Sequence, residues 1–300
     1  MRKLLIAFVV MVLLAGCGAT EKVVQEKKDN KYDPYNPVQN YNPNLSEEVK
    51  PNQNLIPGKG SETFESQTNI EVLALPGSPV LITDKYFNIL YGSSDKTGAK
   101  KIIDILKQKK IEYLNYVIVP SANPETISGM SELLGKVRVE FLDILSSSDS
   151  ADLRNVSKIA ADNSIVTQPV MAGSKWAING VEFDILYPMT IDMSDNDTTA
   201  RTCVVRIEKD GVSAILTGDI NETICKKLIE RGKLAPSTYV VATNGAPANS
   251  ITKEFLDIVK PEKVIVGMRT VDAGGFRVET QSVKKSGTVV IPLDKNPAEQ

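Results

Sequence analysis

"VIVPSANPETISGM", residues 117–130, is the stretch whose reading decides the fold. An apolar run, Val117-Ile118-Val119, stops at Pro120, and a short polar turn leads into a helical pattern near Glu125. Strand, turn, helix is the repeating unit of α/β sheets, and the turn lies at the edge where such sheets carry their chemistry. The polar residues here are Ser121, Asn123, Glu125 and Thr126. Two hydroxyls, one amide and one carboxylate are a poor set for a transition metal or a proton relay.

The pattern repeats outward from this turn. "IEVLAL" (70–75), "PVLIT" (79–83) and "YFNILY" (86–91) read as three strands, the first two split at Pro76-Gly77. Residues 97–109 show helical spacing, with Ile102, Ile103, Ile105 and Leu106 on the apolar side. Residues 114–119 are a strand, 124–134 one helix, 137–142 a strand and 152–161 a helix. The second half runs the same way. "VEFDILYP", 202–207 and 212–216 are strands, and 219–231 is a helix. "TYVVA" is a strand, 253–259 a helix, and "KVIVG" and "TVVIPL" close the series. Two rounds of hairpin strands followed by βα units predict sheets packed between helices.

The chain of 300 residues contains no histidine, which removes the commonest general base and the commonest metal ligand. A Ser–His pair is therefore excluded. A Ser–Lys pair stays open, with nothing in the sequence pointing to one. The net charge of -2 gives no global field for nucleic acid. The basic starts at Lys107 to Lys110 and at Lys284-Lys285 read as exposed edges of elements. The acidic loop with Asp192, Asp195 and Asp197 lacks the glycine and distal glutamate of a calcium loop, and reads as solvated. Trp176, in "GSKWAING", is expected to pack over a hairpin.

The N-terminus has its own organisation. Arg2 and Lys3 precede an apolar run, residues 4–14, that is too short to span a bilayer comfortably, and Leu14-Ala15-Gly16-Cys17 follows. This resembles a bacterial lipobox, in which the signal is cut before the cysteine and the thiol carries lipid such as palmitate. Residues 1–16 are thus expected to be a lipoprotein signal peptide and Cys17 the lipidation site. Residues 17–66, rich in Asn, Pro, Lys and Tyr and without apolar periodicity, are expected to be a disordered tether. Residues 67–300 form the expected folded domain, on the outer face of the cytoplasmic membrane or the periplasmic side. Cys203 and Cys225 read as two small buried hydrophobes, with a disulfide as the alternative.

Four segments carry a family resemblance: the strand pair of 70–91 with "ILYGSS", the stretch 117–130, "VSAILTGD" (212–219) and "VVATNGA" (240–246). In this order and spacing they resemble the metallo-β-lactamase fold, and within it the hydrolase-like domain of the ComEC competence proteins and their free-standing relatives. The resemblance covers residues 69–293. It implies an α/β, four-layer αββα sandwich. It also implies a site: a His-x-His-x-Asp-His motif after one strand, Thr-Gly-Asp ending a later one, and paired histidines ending a further one. Here Ser121, Asn123, Glu125 and Thr126 fall on the first motif. Thr243 and Asn244 stand where the paired histidines would be, and Tyr91 stands where an aspartate ends its strand. Asp219 is unchanged.

The surviving residues also have local roles. Asp219, three residues before Glu222, has capping-box spacing and is expected to cap the following helix. Glu125, after Pro124, suits the first turn of a helix. Gly129 and Gly218 read as backbone turns. Neutral Ser, Asn and Thr oxygens do not replace imidazoles for zinc, and the most such a site would hold is a hard cation on Asp219 and Glu125. The expected function is therefore a membrane-anchored pseudoenzyme lipoprotein without zinc. It would bind or scaffold an envelope protein, with a link to DNA uptake implied by the resemblance alone. The alternative is a metal-dependent phosphodiesterase- or nuclease-like hydrolase using Asp219, Glu125 and Asn123 or Asn244. A third reading is a small-ligand binder in the vacated cleft.

Overall fold

A computed structural model describes residues 67–145, 150–189, 202–243, 251–268 and 278–294. The first half runs β1 (Asn69–Val72), β2 (Val80–Thr83), β3 (Asn88–Tyr91), α1 (Lys96–Gln108), β4 (Tyr113–Ile118), α2 (Pro124–Ile127), α3 (Met130–Leu134), β5 (Arg138–Ile144), α4 (Ala151–Asp162) and β6 (Val166–Pro169). The second runs β7 (Lys175–Ile178), β8 (Val181–Tyr187), β9 (Val204–Lys209), β10 (Val212–Leu216), α5 (Glu222–Glu230), β11 (Tyr239–Ala242), α6 (Lys253–Val259), β12 (Lys263–Val266), β13 (Glu279–Ser282), α7 (Val283–Ser286) and β14 (Val289–Pro292).

The strands form two seven-stranded sheets, in the orders β14-β1-β2-β3-β4-β5-β6 and β13-β12-β11-β10-β9-β8-β7. Each sheet begins its half of the chain with antiparallel hairpins and continues with parallel strands reached through helices. Alternation of side chains explains why the second sheet is apolar on both faces. Val205, Ile207, Ala214, Leu216, Val241 and Ile265 point into the core between the sheets. Their neighbours Val204, Ile215, Val240, Ala242, Val264 and Val266 point to a second core under α5 and α6, with Ile224, Leu228 and Phe255. A strand buried on both faces reads as a continuous apolar run, as these do. Helices α1, α3 and α4 cover the first sheet from outside. The layers are therefore α, β, β, α, as expected.

Local chemistry sets the helix ends. Asp95 caps α1, its carboxylate accepting from Gly98 N at 2.7 Å, and Ile102, Ile103 and Leu106 give that helix its buried stripe. The single helix expected over 124–134 is two short ones. A Cβ on Gly129 would stand 2.5 Å from the Asp95 carbonyl oxygen, so glycine lets the start of α1 approach, and Gly129 N donates to Ser94 O at 3.0 Å instead of back into the helix. Trp176 lies in the β7–β8 hairpin and packs on it as expected, its ring stacked on its cross-strand partner Phe183 at 5.2 Å and also on Tyr116 of the other sheet at 5.5 Å. Cys203 and Cys225 form no disulfide and are fully buried in different cores. Among the described residues no helix is long and apolar enough to cross a membrane.

Candidate functional site

The turn after β4 forms as the sequence predicts. Asn123 is extended and caps α2, accepting from Glu125 N at 3.0 Å. Pro124 occupies the first helical position, where a missing N–H costs nothing, and Glu125 meets the positive end of the helix dipole. Pro120 then links the two sheets. Its carbonyl accepts from Cys203 N at 2.7 Å and from Thr202 Oγ1 at 3.0 Å, and Ser121 pairs with Thr202 in an isolated antiparallel bridge.

Asp219 arrives from the second sheet, just past β10. Gly218 before it has φ +58, and a Cβ there would lie 2.1 Å from Thr202 Oγ1 and 2.8 Å from the Tyr91 hydroxyl. Only glycine makes that turn, and it folds Asp219 back onto Thr202 and Ser121. Asp219 N donates to Thr202 Oγ1 at 2.8 Å, and its carboxylate accepts from Ser121 Oγ at 2.5 Å. The Ser121 hydroxyl donates to Asp219 and the Thr126 hydroxyl donates to the Asn123 carbonyl at 2.8 Å, and the two hydroxyl oxygens lie 2.9 Å apart. Asp219 is not the cap of α5, contrary to the spacing with Glu222. Asn221 is, accepting from Ile224 N at 2.9 Å. The turn at Gly218 carries Asp219 away from the helix axis, and the helix starts at Glu222 rather than at 219.

Tyr91 stands opposite Ile118 in the β3–β4 ladder and is 1% exposed in the inter-sheet core. Its hydroxyl donates to the Cys203 carbonyl at 2.5 Å. Burial first, and then the nearby Asp219 carboxylate, holds its phenol well above the usual range. Thr243 directly follows β11, buried, and its hydroxyl makes no hydrogen bond among the described residues. Asn244, Cys17, Asp192, Asp195 and Asp197 lie outside the described residues.

Three residues of this cluster escaped the sequence reading. Thr202 and Pro120 join it through contacts far apart in the chain, which no local pattern reveals. Asp143, near the end of β5, did leave a signal. Residues Val139, Phe141 and Asp143 share one face of the strand, and Phe141 stacks on Tyr116 at 5.0 Å, so an acid lies on an apolar face. Burial pushes its carboxyl up to about 7. Its proximity, after burial itself, also raises the Tyr116 phenol and the Cys203 thiol.

The dinuclear metal centre implied by the resemblance does not fit this donor set. Among the described residues no three His, Cys, Asp or Glu side chains come together. The oxygens that gather are those of Ser121, Thr126, Thr202 and Asp219, engaged with one another. Hard neutral hydroxyls and a single carboxylate are not ligands for a zinc or iron pair.

The architecture has known counterparts. The metallo-beta-lactamase fold protein YhfI from Bacillus subtilis superposes with a TM-score of 0.52 over 76% of this chain and 100% of that chain, at 10% identity. The diiron beta-hydroxylase CmlA from Streptomyces venezuelae gives 0.43 over 69% of this chain and 45% of its own, at 12% identity. The FEZ-1 metallo-beta-lactamase from Legionella gormanii gives 0.39 over 52% and 62%, at 14% identity. The last two scores are too low to carry weight. No protein-family model matches the chain, and no curated protein matches it. The likeness to the first of these, at 10% identity, speaks to the fold alone: the described part has the metallo-β-lactamase fold.

Proposed function

We propose, for a chain with the metallo-β-lactamase fold, a membrane-anchored lipoprotein of the cell envelope whose domain binds or scaffolds and does not hydrolyse. The observation that supports this reading is the hydrogen bond from Ser121 to Asp219. It joins, side chain to side chain, two positions at which the resembled family holds metal. A carboxylate engaged by a buried hydroxyl inside a seam between two sheets is a structural tie. Freeing it for a cation would cost the tie and take the carboxylate partner from the buried Ser121 hydroxyl, about 1–3 kcal/mol. Membrane anchoring rests on the Leu14-Ala15-Gly16-Cys17 sequence, and the ligand class is an envelope protein or small molecule.

Metal analysis of the purified protein, with a phosphodiesterase and nuclease screen in the presence of zinc, manganese or magnesium, tests this. The expected outcome is substoichiometric metal and no turnover that a chelator removes. Stoichiometric metal with chelator-sensitive turnover, lost in Asp219→Asn without a fall in melting temperature, would establish the metal-dependent hydrolase instead.

A further inference from the structure

At the edge of the sandwich opposite the Ser121–Asp219 seam, one lysine gathers both ends of the described chain. Strand registers fix the geometry: Asn69, Thr83 and Asn88 share that edge, while Val72, Val80 and Tyr91 share the other. Lys209, the last residue of β9, lies there beside Val212. Its ammonium meets Asp294 Oδ1 at 2.5 Å, Thr68 Oγ1 at 2.8 Å and Asp84 Oδ2 at 3.7 Å. The carboxylates are held from other sides too. Thr68 N donates to Asp294 Oδ2 at 2.6 Å, and Thr68 Oγ1 donates to Asp84 Oδ2 at 2.8 Å. Asn179, in the β7–β8 turn, and Tyr86 N both donate to Asp84 Oδ1, at 3.0 and 3.1 Å. The Lys209 side chain is 11% exposed and that of Asp84 is fully buried.

We propose that Lys209 is an electrostatic latch tying the two terminal strands of the first sheet to the second sheet, so that β1 and β14 open only when the whole sandwich opens. The need for such a device follows from the topology. Strand β14 spans four residues and, among the described residues, pairs with β1 alone, at the sheet's edge. A short edge strand with one neighbour is the element expected to open first in local fluctuations. Lys209 belongs to the other sheet, and its ammonium is within hydrogen-bond distance of Thr68 and Asp294 and forms a longer ion pair with Asp84. Removing it takes away the ammonium that Asp84 and Asp294 share in a largely buried setting, an unfavourable change.

Hydrogen exchange on the full chain tests this, comparing wild type with Lys209→Met and Lys209→Arg. In the wild type the amides of β14 and β1 are expected to exchange as slowly as those of β10 and β11. In Lys209→Met, β14 and β1 amides are expected to exchange at least tenfold faster, with a distinctly smaller change in β10 and β11, and Arg is expected to restore much of the protection. If Lys209→Met does not fold, Asp294→Asn, which removes one carboxylate and keeps the lysine, supplies the same comparison. Unchanged β14 protection, or acceleration by one common factor in every slow amide, overturns the proposal.

Discussion

Ionisation of Asp143 is costly in the folded state, because the carboxyl is 6% exposed and, among the described residues, no cation offsets its burial. Its folded pKa of about 7 lies above the unfolded value of about 3.9. Between these values the folded chain keeps a proton that the unfolded chain has released. The contribution of Asp143 to stability is therefore full below about pH 4 and lost as pH rises through about 7. Asp143→Asn, which stays neutral, is expected to gain on the wild type as pH rises, by on the order of 2–4 kcal/mol between pH 4 and pH 8. Urea titrations of both proteins at the two pH values check it, and an equal difference at both would contradict it. The alternation Val139–Phe141–Asp143 made this acid legible in the sequence. The sequence did not show which sheet it would face, because that depends on contacts with Cys203 from the other half of the chain.

Helix α5 illustrates how local rules choose among neighbours. Asp219 and Asn221 both offer an N-cap side chain, and spacing alone favours Asp219 with Glu222. The positive φ at Gly218 decides otherwise, and that angle follows from the crowding of Thr202 and Tyr91 around it. Asn221→Ala is expected to cost about 1 kcal/mol through loss of the cap on Ile224 N. Asp219→Ala is expected to loosen the seam at Ser121 and leave the helix start intact. Amide protection of Ile224 separates the two, and loss of it in Asp219→Ala alone would restore the capping role to Asp219. Most strands and long helices were readable because their apolar periods are unbroken. The division of 124–134 into α2 and α3 was not, since it depends on how closely α1 approaches Gly129.

The whole molecule has two cores that share the second sheet, with one thiol in each. Burial, and then Asp143, raises the Cys203 thiol strongly, and burial raises Cys225 to about 11. Both are fully buried, so neither reacts without opening. In a chain carrying Cys17→Ser, alkylation of Cys203 and Cys225 is expected to proceed at one common rate that rises with urea as global unfolding does. Early reaction of one thiol would show that the cores open separately. The layered architecture was legible because each half of the sequence repeats the same order of strands and helices. The seam was legible as a position, from the strand-to-helix turns at 117–130 and 212–219. Its internal bonding was not, since the partners Pro120, Thr202 and Asp219 meet only after the sheets stack. Chain polarity adds a last consequence. Thr68 and Leu293 meet through a backbone hydrogen bond of 2.8 Å, at the edge away from Ser121 and Asp219. Both ends of the described domain thus lie on one side, and whatever is spliced, tagged or immobilised there attaches away from the Ser121–Asp219 rim.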